Sequence, residues 1–130
     1  MAGKNAGYVE ACPCGSDTAY TNCCGMWHAG QSAPTAETLM RSRYTAYVLG
    51  LEDYLLYTWH PDTRPASLGL SEDVGTKWLG LDVRRSESTG ADSALVEFIA
   101  RYKVNGKACR LHEVSRFIKL DGQWLYLDAT

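Results

Sequence analysis

The chain has 130 residues, 45% of them hydrophobic and 22% charged, with a formal net charge of −2. That is the make-up of one ordinary globular domain with a small appendage, long enough to bury a core. The charge balance gives no electrostatic reason to expect nucleic acid, and no apolar run reaches transmembrane length, so neither nucleic acid nor membrane is expected as a partner.

Met1 to Glu10 is small and polar and lacks the hydrophobic segment of a secretory signal, so it reads as a loose lead-in. Four of the five cysteines follow within thirteen residues, Cys12 and Cys14 then Cys23 and Cys24, spaced C-x-C-x8-C-C. Two thiolate pairs joined by a short loop close a tetrahedral cage, and thiolates select zinc over magnesium or calcium. An all-cysteine cage leaves no open position for water or substrate, so the site reads as structural. A disulfide framework and a redox pair compete with this reading, although the first suits shorter secreted chains and the second usually has C-x-x-C spacing. His28, four residues past Cys24, either replaces Cys24 as the fourth ligand or packs beside the knuckle. A clustered thiolate site in an unexported chain implies a cytoplasmic location.

Ala29 to Pro34 has linker composition. Thr35 is then an N-cap with Glu37 in the first turn, and Met40, Tyr44, Tyr47, Val48 and Leu51 recur at helical spacing up to a C-terminal Gly50. Arg41 and Arg43 flank that stripe and are either solvated or, for one of them, aimed at a buried carboxylate. A second predicted helix runs from about Glu52 to Trp59, stopped by His60-Pro61, with His60 facing the helix-end carbonyls. Asp62 to Thr76 reads as loop, with one helical turn at Ser71 to Val74.

The remainder alternates with a period of two. Strands are predicted at Trp78 to Glu87, Ser93 to Val104, Lys107 to Leu120 and Gln123 to Asp128. Asn105-Gly106 and Asp121-Gly122 are strong two-residue hairpin signals. Counting outward from the first pairs Tyr102 with Cys109, Ala100 with Leu111, Phe98 with Glu113 and Val96 with Ser115. The same count from the second pairs Phe117 with Tyr126 and Ser115 with Asp128. One face is then apolar apart from Glu113, Ser115 and Asp128, while Glu97, Arg101, Lys103, Arg110, His112 and Arg116 line the wetter one. Cys109 reads as core beside Tyr102. His112 cannot share a pocket with Glu113 without a bulge, because adjacent strand residues point to opposite faces.

Cys12-Pro13-Cys14-Gly15-Ser16, Tyr20 and Cys23-Cys24-Gly25 resemble the SEC-C motif, the zinc-binding tail known from the SecA translocation ATPase. In that motif the last ligand is Cys or His, which corresponds to Cys24 here. Pro34-Thr35-Ala36-Glu37, the run Leu39-Met40-Arg41-Ser42-Arg43-Tyr44, His112-Glu113 and Ser115-Arg116-Phe117 resemble the bacterial YchJ-like proteins. The resemblance implies a SEC-C knuckle over residues 1–30 and a nuclear-transport-factor-2-like domain over residues 31–130. Where the translocase tail has lysines between its cysteine pairs, this chain has Asp17, Thr18, Ala19 and Thr21, which weakens any transfer of that tail's partners.

The expected fold is therefore α+β, a zinc knuckle followed by helices on a curved antiparallel sheet. In the resembled fold the concave face lines a pocket, and eight tyrosines and four tryptophans suit a cleft with aromatic walls. Glu113 is the candidate base or ligand anchor, with Ser115, Tyr126 and Asp128 as polar neighbours; the competing reading buries Glu113 in an ion pair with Arg43. The primary expectation is a binding module that meets a protein partner through its knuckle. The alternative is a small-molecule-binding protein or enzyme using the cleft.

Overall fold

A computed structural model describes residues 10–130, so nearly all of the predicted lead-in lies outside the described residues. Three helices, α1 (Cys24–His28), α2 (Ala36–Leu49) and α3 (Glu52–Tyr57), precede a four-stranded antiparallel sheet. Its strands are β1 (Thr76–Gly90), β2 (Ser93–Val104), β3 (Lys107–Leu120) and β4 (Gln123–Ala129), in the order β1-β2-β3-β4. The architecture is the expected α+β meander.

Local chemistry explains the principal helix. The Thr35 hydroxyl accepts from the Thr38 amide at 3.1 Å, satisfying a donor the first turn would leave orphaned. Gly50 ends the helix at φ 74°, a left-handed conformation that an L side chain resists. Ala36, Leu39, Met40 and Tyr44 then pack on Ala94, Val96, Phe98, Ala100 and Phe117 of the sheet.

The two hairpins close as two-residue turns. Asn105 and Gly106 lie at φ 50° and 85°, Asp121 and Gly122 at 52° and 80°, the paired positive angles of a primed turn. The β2–β3 register follows from the first turn throughout its length: Tyr102 opposes Cys109, Ala100 Leu111, Phe98 Glu113 and Val96 Ser115. The β3–β4 register does not. Phe117 opposes Tyr126 as counted, but a bulge between Arg116 and Phe117 sets Arg116 opposite Asp128 and Ser115 opposite Ala129. Leu127 is the extra residue, and its carbonyl accepts from the Thr63 hydroxyl at 2.6 Å.

The early end of α3 and the placement of His60 share one cause, the docking of the chain after α3 onto the edge of β4. The α3 helix stops at Tyr57, two residues earlier than expected. Trp59 forms a parallel bridge with Tyr126, whose amide donates to the Thr58 carbonyl at 2.8 Å and whose carbonyl accepts from His60 N–H at 2.8 Å. The edge strand is thereby covered. The His60 ring instead accepts at Nδ1 from the Asp62 amide at 3.1 Å. A single 3₁₀ turn falls at Leu70–Glu72, and β1 is longer than expected, bent by three register shifts.

Replacing Thr35 with Ala removes the α2 cap and is expected to cost about 1 kcal/mol in denaturant-induced unfolding, with the slope of the transition unchanged.

Candidate functional site

The cysteine stretch folds as a tight knuckle. Gly15 turns at φ 85°, and a Cβ on Gly25 would sit 2.7 Å from the Tyr20 carbonyl oxygen, so only glycine lets the chain enter α1 there. The sulfurs of Cys12, Cys14, Cys23 and Cys24 all lie within 4.8 Å of one another, three of these residues buried. Cys14 Sγ is 3.7 Å from Cys23 Sγ. A tetrahedron with metal–sulfur bonds of about 2.3 Å has edges of roughly 3.8 Å, so the four donors fit a soft divalent metal. A hydrogen bond from Cys24 lowers the Cys14 thiol to about 4, and the same bond, with burial, pushes Cys24 up.

Hydroxyls surround the cage. Ser16 Oγ lies 3.1 Å from Cys23 Sγ, and the Thr45 hydroxyl on α2 donates to Cys24 Sγ at 3.4 Å and stands 3.7 Å from Cys12 Sγ. Arg41 Nη1 donates to the Cys14 carbonyl at 2.8 Å, tying the knuckle loop to the same helix. His28, the reserve ligand, stands outside the cage. Its Nδ1 is 2.7 Å from the Tyr20 hydroxyl and its Nε2 is 2.8 Å from the Ser42 carbonyl. Burial holds the imidazole below its ordinary range, which suits a neutral ring donating from Nε2 and accepting at Nδ1. Tyr20 and Trp27 pack half-buried against the thiols.

Across α2 from the knuckle lies a cavity of about 300 Å³ between helix and sheet. Met40, Arg43, Tyr44 and Tyr47 wall it from α2, and Phe98, Leu111, Glu113, Ser115 and Tyr126 from the strands, with Trp59 and Trp78 at its sides. Three of the four polar candidates therefore meet in one place: Glu113, Ser115 and Tyr126. Asp128 does not. The bulge carries it to the outer face, where Arg116 grips both carboxylate oxygens at 2.7 Å. His112 is also on the outer face, its Nε2 2.7 Å from Glu97. Cys109 is half-buried at the far end of the sheet, its thiol donating to the Lys107 carbonyl at 3.6 Å, rather than in the core.

Arg43 is the residue the sequence left undecided. It is 6% exposed. Nη1 donates to the Leu55 carbonyl at 2.8 Å and to the Thr58 hydroxyl at 2.6 Å, and the guanidinium carbon lies 5.0 Å from the Trp59 ring centre and 4.6 Å from that of Tyr126. Burial lowers it to about 10, so it stays charged at neutral pH. The expected ion pair with Glu113 is not formed. Among the described residues nothing bonds to the Glu113 carboxylate, and its proton affinity is raised by burial alone. The Tyr126 hydroxyl, buried and near Glu113, is pushed up to about 12.

A four-thiol knuckle docked on an α+β domain with a helix-roofed cavity defines a SEC-C type protein with a nuclear-transport-factor-2-like domain. A family model described as the YchJ middle NTF2-like domain matches residues 35–129, and the chain belongs to that YchJ-like family. It is 57% identical over 122 residues to a UPF0225 protein of Xanthomonas campestris, covering 93% of this chain and 95% of that one. A UPF0225 protein of Chromobacterium violaceum is 56% identical over 124 residues, covering 92% and 91%. Among solved structures, a SEC-C motif containing protein from Rhodopseudomonas palustris superposes with a TM-score of 0.83 at 34% identity, covering 93% and 98% of the two chains. Another from Psychrobacter arcticus gives 0.75 at 28%, covering 92% and 81%. Among the described residues no helix is long and apolar enough to cross a membrane.

A carboxyl whose affinity for protons rises on folding stabilises the fold while protonated. That contribution is complete below the ordinary glutamate range and is lost as pH rises through the raised value. Glu113→Gln is therefore expected to melt higher than the parent at neutral pH, the gap closing as the buffer is taken below the glutamate range. Thermal melts across pH 3 to 8 measure it; a variant that melts lower at neutral pH would mean that the carboxylate has a stabilising partner.

Proposed function

We propose that this protein binds a small molecule in the cavity roofed by α2, and that its four-cysteine knuckle holds a structural zinc ion. The observation that supports the first part is Glu113: a carboxylate facing an aromatic cavity, while the Arg43 guanidinium that lines the same cavity donates through Nη1 to the Leu55 carbonyl and Thr58 hydroxyl instead. Half-buried carboxylates without partners cost stability, and a ligand that supplies the partner relieves that cost. The aromatic side chains of the knuckle, Tyr20 and Trp27, are engaged against the thiols, so the cavity is a stronger binding candidate than the knuckle surface. The reading supports binding and leaves catalysis unassigned.

Zinc is favoured by the donor set, four thiolates at tetrahedral spacing with hydroxyls around them. When bound, it cross-links the knuckle loop to the start of α1; Cys12, Cys14, Cys23 and Cys24 would hold it. Cys14→Ser is expected to abolish stoichiometric zinc in the purified protein, measured by elemental analysis, and to raise hydrogen exchange across residues 11–28. Full zinc retention would exclude this ligand set.

The ligand reading is tested by a thermal-shift screen of metabolites on zinc-loaded protein. At least one compound is expected to raise the melting temperature of the parent by several degrees and that of Glu113→Gln by far less. A broad set without such a compound would sink the cavity as the functional site.

A further inference from the structure

Two opposite charges line this one cavity without meeting. Arg43 uses only Nη1; among the described residues no acceptor engages its Nε or Nη2, and no carboxylate pairs with it. Glu113 offers a carboxylate that no donor among the described residues engages, on a strand whose neighbouring cavity residues are Leu111 and Ser115. Tyr44, Tyr47, Trp78 and Phe98 line the same space, and the Tyr126 ring, 4.6 Å from the guanidinium carbon, also feels the Glu113 charge.

Taking the ligand-binding reading as its basis, we propose that the cavity takes a small zwitterion, an amino-acid-like molecule with its carboxylate toward Arg43, its ammonium toward Glu113 and a flat apolar group among the aromatic rings. The free guanidinium edge is a planar fork that matches a carboxylate, and Lys would not reproduce it. An ammonium near Glu113 gains both an ion pair and the faces of the surrounding rings. Other charge types fit worse. A simple anion leaves Glu113 without a partner and facing a like charge, a simple cation does the same to Arg43, and a neutral molecule leaves both charges desolvated and unpaired. The volume of about 300 Å³ is at the small end for ligand sites, enough for a single ring and a short polar chain.

The test is calorimetric titration of the zinc-loaded full chain with four matched compounds: phenylalanine, phenethylamine, 3-phenylpropionate and neutral 3-phenylpropanamide. Phenylalanine is expected to bind, and the other three to bind about tenfold or more weakly. Glu113→Gln is expected to erase the preference for phenylalanine over the propionate. Arg43→Lys is expected to weaken phenylalanine and leave phenethylamine unchanged; should that buried variant fail to fold, the Glu113→Gln comparison decides alone. Equal or tighter binding by any singly charged or neutral member overturns the zwitterion while keeping the cavity as a ligand site. Silence from all four overturns the zwitterion too, and if 1-anilinonaphthalene-8-sulfonate also gives no cavity-dependent fluorescence that Tyr47→Ala removes, the ligand reading falls with it.

Discussion

Arg41 and Arg43 lie two residues apart on α2, and at 3.6 residues per turn their side chains leave the helix about 200° apart. Arg41 holds the Cys14 carbonyl and, through Glu37, its own first turn. Arg43 holds the Leu55 carbonyl and Thr58, and so fixes α3 and the segment that joins the edge of β4. One helix is thus the common wall of the thiol cage and the cavity. Ser42 and Thr45 extend the cage side, through the His28 ring and the Cys24 sulfur, while Met40, Tyr44 and Tyr47 extend the cavity side. Within the Leu39–Tyr44 run, Arg41 and Ser42 serve the knuckle, Met40, Arg43 and Tyr44 wall the cavity, and Leu39 packs in the core.

This arrangement makes the knuckle part of the domain's packing. Leu81 of β1 contacts both the cysteine cluster and the main core, so sheet, helix and knuckle share apolar surface. The hydroxyls and the Arg41 guanidinium supply donors near sulfur and near the loop carbonyl, which favours thiolate over thiol in a place where burial alone would oppose it. A free tether would need none of these contacts. Loss of the cage would therefore free Arg41, His28 and Thr45 together and uncover Leu81 of the sheet.

The hairpins were legible because their information is local. Asn105-Gly106 specifies the turn, and every β2–β3 pair follows from it over twelve residues. Asp121-Gly122 specifies its turn equally well, yet the register breaks six residues on. The bulge at Leu127 is stabilised by Thr63, distant in sequence, and nothing near Asp128 signals it. Asp128 consequently left the pocket. The four cysteines were legible for the same local reason, whereas the roles of His28 and Arg43 depend on Ser42, Leu55 and Thr58, brought to them only by packing. Period and spacing assign faces and turns; they do not assign which of several polar groups on a face becomes a partner.

That limit bears most on Glu113 and Arg43. A helix-to-sheet ion pair between them was the economical expectation, since two opposite charges on facing surfaces of a core ordinarily neutralise each other. The structure instead satisfies part of Arg43 with neutral acceptors and aromatic faces and leaves Glu113 to the cavity. Had stability been the only constraint, hydrophobic residues at both positions would fill the space at lower cost, because well-packed apolar side chains commonly replace buried ionic groups without loss. Rigid rings around the space resist its collapse, and the two charged groups that line it are only partly or not at all satisfied among the described residues. A protein that keeps two unmatched charges around an open volume has stability in reserve that an occupant of complementary charge would recover.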